Sequence, residues 1–258
     1  MREATPWIRG FPASVSPGTP WTVLFFPHSG GSAGSYRDLA AQLAGTARTA
    51  CVEYPGRAER VREPLFTDVH VLADQAADAV AGARGDGPMI FFGHSLGAVV
   101  AYEVVRRMPD QRQLVLVASG HPAPSRLTLS GLLDDAGSAA PDERLAALVR
   151  SLGGADAELL EHPLLRQVFL PVIRSDLVAH SRYRPDPDSV VGCPVIALMG
   201  AADPLTTAPD VQAWERHTTS GLRVHVFPGG HFFTNRHPRE VADVLRRVMT
   251  TDRNAPAR

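Results

Sequence analysis

Lysine is missing altogether: Arg supplies all 26 basic side chains, and 27 Asp and Glu balance them to a formal net charge of −1. A chain without cationic excess is a poor candidate for nucleic-acid binding driven by counterion release. The arginine-only usage reads as genomic base-composition bias. Cysteine is scarce. Cys51 and Cys193 each stand at the edge of an apolar run, which predicts buried packing residues and neither a disulfide framework nor a metal pair. No stretch approaches the roughly 18 uninterrupted apolar residues of a membrane-spanning helix. Residues 1–20 place no apolar run behind their early charges, so no secretory signal is expected there and a cytoplasmic location is.

Hydrophobic residues make up 44% of the chain and charged residues 21%, which is globular usage with ample material for a large core. Short apolar runs recur at Thr22–Phe26, Thr49–Glu53, Met89–Phe92, Leu114–Ala118, Pro194–Leu198 and Leu222–Phe227. Most are continuous and not alternating, as strands covered on both faces are. Amphipathic stretches near 35–45, 69–84, 97–108, 209–219 and 238–250 lie between them. Strand alternating with helix predicts an α/β fold, a doubly wound, mainly parallel sheet within one domain spanning 1–258. One connection breaks the rhythm, since about 75 residues separate the runs ending at Ala118 and starting at Pro194, too many for one crossover. Within it, residues 142–152 and 164–182 have helical apolar periodicity, with Leu145, Leu148 and Val149 on one face and Leu165, Val168, Phe169, Val172, Ile173 and Leu177 on another. Residues 122–188 therefore read as a helical lid insertion over the carboxyl edge of the sheet, against the alternative of two ordinary packing helices.

Gly93-His94-Ser95-Leu96-Gly97 has the G-x-S-x-G form, directly after an apolar strand and directly before a helical run. A nucleophile on a tight strand-to-helix turn needs neighbours without bulk, and its hydroxyl is then presented at a helix N-terminus. A serine needs a base held by a third group, in the chain order Ser, acid, His. Asp203 follows the fifth run and His231 the sixth, so both fall on the sheet edge that carries Ser95. Asp176 and Asp210 compete for the acid role. Among the ten histidines, His225 lies in a strand, His70 and His217 in helices, and His237 at a helix start, while His94 points off the same turn as Ser95. His28 is the strongest rival to His231. The small-residue loop Pro27-His-Ser-Gly-Gly-Ser-Ala-Gly34 suits backbone donors for an oxyanion, the N–H of Ser29 pairing with that of Leu96. A phosphate cradle is disfavoured, because neither G-x-G-x-x-G nor a Walker lysine is present.

With Phe26-Pro-His-Ser-Gly-Gly-Ser-Ala33, Tyr54-Pro-Gly-Arg57, Arg60, Glu63-Pro64, Gly93–Gly97, Leu164-Leu-Arg166, Arg174-Ser-Asp176, Tyr183, Gly200–Asp203 and Phe227-Pro-Gly-Gly-His-Phe-Phe233, the chain resembles, over nearly its whole length, the stand-alone type II thioesterases of polyketide synthase and non-ribosomal peptide synthetase pathways. The resemblance implies an α/β-hydrolase that frees acyl groups from the phosphopantetheine arm of acyl or peptidyl carrier proteins, with Ser95, Asp203 and His231 as triad. It implies no cofactor or metal of the enzyme's own, since the substrate brings the phosphopantetheine. The family usually has Ala at the position of Ser29 and often Met at that of Leu96, both of which would act through the backbone. Arg57, Arg60 and Arg62, with His28, are candidate contacts to substrate or to an acidic carrier, although Arg57 in Pro-Gly-Arg could instead pin its own loop. The rival functions are a carboxylesterase or lipase on oxygen esters, and a hydrolase-fold binding module without activity.

Overall fold

In the computed structural model, residues 5–12, 19–126, 142–153, 160 and 162–251 are described. Among them, seven strands form one sheet: β1 (Ile8–Gly10), β2 (Thr22–Phe26), β3 (Arg48–Val52), β4 (Met89–His94), β5 (Leu114–Ser119), β6 (Val195–Gly200) and β7 (Leu222–Phe227), in the order β1-β3-β2-β4-β5-β6-β7. β1 is antiparallel to β3 and every other pairing is parallel. The order reverses beside β2 and β4. At such a switch point the carboxyl ends of the strands open a crevice. The doubly wound, mainly parallel sheet expected from the apolar runs is therefore present, with β1 as an additional short edge strand.

Period-two alternation along each strand sorts side chains onto two faces. Leu24, Phe26, Phe91, Leu116 and Ala197 meet α2 (Val69–Ala83) and α3 (Leu96–Arg107) on one side. Val23, Phe25, Phe92, Val117 and Leu198 meet α1 (Arg37–Gln42) and the C-terminal helix Pro238–Thr251 on the other. Cys51 and Cys193 are buried thiols in different clusters, one on each side of the sheet. Asp68 starts α2 by accepting the N–H groups of His70 and Val71, which satisfies two donors of the first turn.

In the long connection, α4 (Asp142–Leu152) and α5 (Pro163–Arg182) pack a third cluster around Leu145, Leu170, Ile173 and Leu177. Glu143 with Arg166, and Asp142 with Arg174, pair the two helices at 2.6 and 2.7 Å. The face predicted for α5 is covered along only part of its length. Leu165 and Val168 are exposed, and burial becomes near-continuous beside Pro171, a proline inside the helix. The rest of the expected insertion, at 127–141, 154–159 and 161, lies outside the described residues. Two further helices, α6 (Ala208–Gln212) and α7 (Phe233–Arg236), precede α8 (Pro238–Thr251). No helix among the described residues is long and apolar enough to cross a membrane.

Candidate active site

Ser95 directly follows β4 and caps α3 with φ 53° and ψ −125°. Among the described residues only Ala58 shares a positive φ without being glycine. Such a conformation costs on the order of 1–3 kcal/mol and persists only where the surroundings enforce it. Here they do: Ser95 N–H donates to Ser119 O at 2.8 Å, and Ala98 N–H to Ser95 O at 2.8 Å. The flanking glycines let the turn close, because a Cβ on Gly93 would lie 2.1 Å from Gly97 O and one on Gly97 1.9 Å from Phe26 O. The Ser95 side chain makes no capping bond to its own helix and is the one partly exposed residue between Phe91 and Val100.

The loops after β6 and β7 are stitched together by Ala201 N–H to Phe227 O and Ala202 N–H to Gly229 O, at 2.8 and 2.9 Å. That registration brings Asp203 to His231, whose Nδ1–H donates to Asp203 Oδ2 at 2.9 Å with both side chains essentially out of solvent. Leu205 N–H donates to Asp203 Oδ1 and the Thr206 hydroxyl to Oδ2, at 2.9 and 3.1 Å. No described group hydrogen-bonds His231 Nε2. The imidazole rests among Phe232, at 5.1 Å between ring centroids, and His94, at 5.0 Å. His94 itself is tied to Ser119 Oγ through Nδ1, and burial holds it well below the usual histidine range. It is therefore a neutral wall beside the turn.

The rivals for the acid role are engaged elsewhere. Asp176 binds Arg57 and the Gly30 N–H, and Asp210 closes a capping box with Thr207 at the start of α6. In the loop after β2, Gly31 N–H donates to His28 O at 2.9 Å and Gly30 N–H to Asp176 Oδ2 at 2.8 Å. The N–H groups of Ser29 and Leu96 donate to no described group, which leaves available the two donors singled out in the sequence. His28 is buried, with Nδ1–H on Ser29 O at 3.0 Å and Phe232 stacked edge-on against it.

The thioesterase domain family profile matches residues 22–249. The chain belongs to the thioesterase domain family. This thioesterase is 32% identical over 256 residues to the probable cadicidin biosynthesis thioesterase of Streptomyces griseus, a match covering 98% of this chain and 69% of that one. It is 34% identical over 256 residues to the thioesterase PikA5 of Streptomyces venezuelae, covering 97% and 88% respectively. Among solved structures, BorB, the type II thioesterase from the borrelidin biosynthetic cluster, aligns with a TM-score of 0.79 at 32% identity over 94% of this chain and 96% of its own. The thioesterase has the α/β-hydrolase fold and is a hydrolase of thioesters.

Two arginines expected to meet a carrier are instead internal to the thioesterase, and that expectation is corrected. Arg57 is buried and holds Asp176 through both guanidinium ends at 2.8 and 2.7 Å, with Tyr54 and Phe66 rings against its plane. Arg60 is buried under Trp7 at 3.8 Å and bonds Glu53 O and both Glu63 oxygens. A buried guanidinium whose three nitrogens all bond internally, with an aromatic ring against its face, is not presented to a partner. Only Arg62 is exposed. The thioesterase also contains a feature not singled out in the sequence: His121, in the loop after β5, meets His180 of α5 through Nε2 atoms 2.9 Å apart. His121 follows a strand end two residues after Ser119, which is the signal that could have marked it.

A groove of about 540 Å³ runs beside the loop after β2, lined by His28, Gly30, Tyr36, Phe169 of α5, Thr234 and Asn235. Such concave space next to convergent polar groups suits a small-molecule arm.

Proposed function

We propose that the protein is a type II, editing thioesterase that removes acyl groups from the phosphopantetheine arm of carrier proteins, with Ser95, His231 and Asp203 as its triad. The observation that carries the reading is the buried Asp203–His231 pair at 2.9 Å on the same strand edge as a serine held at positive φ. Ser95 Oγ attacks the thioester carbonyl while His231 Nε2 takes its proton. Asp203 fixes the imidazole tautomer and stabilises the imidazolium. The N–H groups of Ser29 and Leu96 receive the oxyanion, in a water-poor site where such donors act most strongly. Collapse expels the thiol of the arm, reprotonated by His231, and a water activated by the same imidazole hydrolyses the acyl-enzyme. No cofactor enters these steps.

The carrier-bound substrate class is supported by relatives that include a type II thioesterase from the yersiniabactin NRPS/PKS biosynthetic pathway, with the groove beside Phe169 as the path of the arm and α4 and α5 as its lid. A single domain working in the cytoplasm fits this role. The test is a panel of carrier-bound and small-thiol acyl thioesters with a matched oxygen ester. Turnover of the thioesters, faster on the carrier and lost in Ser95→Ala, is expected. Preference for the oxygen ester would make the protein an esterase, and absence of any turnover would make it a binding module.

A further inference from the structure

Asp176 and Arg57 form a buried ion pair that the triad does not use. Asp176 is fully buried on α5 and Arg57 is nearly so, and removing one partner of such a pair leaves an uncompensated buried charge. A pair of this kind is not needed for packing, since apolar residues of similar volume often serve as well or better. What the pair touches gives it a purpose. Asp176 Oδ2 accepts the Gly30 N–H, and the same guanidinium nitrogen of Arg57 that meets Oδ2 donates to Gly31 O at 3.2 Å. Ile173, one turn earlier on α5, lies over Gly30 so closely that a Cβ there would be 2.6 Å from its Cγ1.

The direction of the Ser29 N–H follows from these contacts. A trans peptide is planar, with its C=O and N–H pointing opposite ways. The peptide joining His28 to Ser29 is held by Gly31 N–H on His28 O, so the Ser29 N–H is aimed wherever Gly31 fixes that carbonyl. Gly31 is in turn held at its own carbonyl by Arg57, and the peptide between Ser29 and Gly30 is held by Asp176 at its N–H and by His28 at its C=O. Gly30, at φ 79°, has no side chain to restrain the loop by itself.

We propose that Asp176 and Arg57 are positioning residues that aim the Ser29 N–H at the oxyanion, so that the oxyanion hole is complete only when α5 is seated on the loop. This rests on the triad reading above and adds to it a link between the helix over the site and the chemistry beneath it. An oxyanion donor is worth about 10²–10³ in kcat, and a misplacement of about 1 Å costs on the order of 10².

The experiment uses Asp176→Asn, which keeps the shape but puts a donor where an acceptor is needed, and Arg57→Lys, which keeps a buried cation but cannot reach Asp176 and Gly31 together. Activity per folded molecule is measured on a small-thiol acyl thioester, alongside affinity for a trifluoromethyl ketone that forms an oxyanionic adduct with Ser95 and for a non-hydrolysable thioether of the same acyl arm. Expected are a loss in kcat of about 10²-fold, a matching loss in trifluoromethyl ketone affinity, and thioether affinity unchanged. Undiminished kcat in a folded variant, or equal losses for ketone and thioether, overturns the proposal. Failure of both variants to fold also overturns it, by assigning the pair to folding. A parent protein without turnover refutes the proposed function itself, whereas an active parent matched by its variants refutes only the positioning role.

Discussion

His121 Nε2 and His180 Nε2 face each other at 2.9 Å, joining the loop after β5 to α5 through one shared proton. One ring donates and the other accepts, so the accepting ring is neutral. Burial holds His121 down to about 4 and His180 well below the ordinary histidine value of 6.5. The unfolded chain therefore binds more protons between about pH 4 and 6.5, and stability falls as pH falls through that window. Above it the contribution is complete. We expect a lower Tm at pH 5 than at pH 7.5, and a shallower slope in His180→Gln by at most ~1.4 kcal/mol per pH unit for each group removed. A residual slope from His94 and His217, also depressed by burial, is expected. An unchanged slope in His180→Gln would sink this account.

Asp203→Asn replaces the acceptor that fixes the His231 tautomer while keeping its volume. The expected kcat loss is on the order of 10⁴, as for the same change in serine proteases, with little change in Tm. A larger kcat loss in Asp176→Asn than in Asp203→Asn would reverse the assignment of the acid.

A serine-directed fluorophosphonate should modify Ser95 alone and abolish turnover, because the residue is partly exposed and its side chain makes no capping bond at the turn. Mass spectrometry of the labelled peptide decides this. Labelling elsewhere with activity retained would rule Ser95 out as nucleophile.

Gly97→Ala should destabilise the protein by more than about 3 kcal/mol, since the new methyl would meet the β2 backbone at 1.9 Å, where nothing can yield cheaply. Gly82→Ala is the matched control. It lies within α2 with open space around it, and alanine there should raise stability by roughly 0.5–1 kcal/mol. Denaturant unfolding of the two variants separates crowding from helix propensity.

Arg60→Ala should cost about 2 kcal/mol of stability, through lost charged hydrogen bonds to Glu53 O and Glu63, and should slow carrier-bound and small-thiol substrates alike. Arg62→Ala should leave stability unchanged. If Arg62 steers an acidic carrier, its removal lowers kcat/KM only on the carrier-bound substrate, and high salt erases the difference. A salt-insensitive defect would remove the steering role.

The central strands could be read from the chain because β4, β5 and β6 are buried at every position, and that burial demands continuous apolar runs. β1 could not. Three residues of which only Ile8 is buried carry no period, and they become a strand only because β3 offers an open edge. The turn at Ser95 was legible for a local reason: glycine at positions 93 and 97 is required by contacts within a few residues and with the adjacent strand.

Charge was visible at Arg57, Arg60 and Asp176, but its use was not. Whether a guanidinium faces a partner or the interior depends on what folds against it, and Arg57 and Asp176 lie 119 residues apart in the chain. The same holds along α5, where periodicity marked an apolar face through Leu165 and Val168, yet the cluster shared with α4 covers it only from about Leu170 onward. The sequence by itself determined the strand–helix alternation, the tight turn at Ser95 and the strand ends that carry Asp203 and His231, because each depends on neighbours close in the chain. The tertiary structure alone decided that Asp203 meets His231, that Asp176 holds the loop and not the imidazole, and that His121 meets His180. Those are distances between separate loops and helices, set by packing that no local pattern encodes.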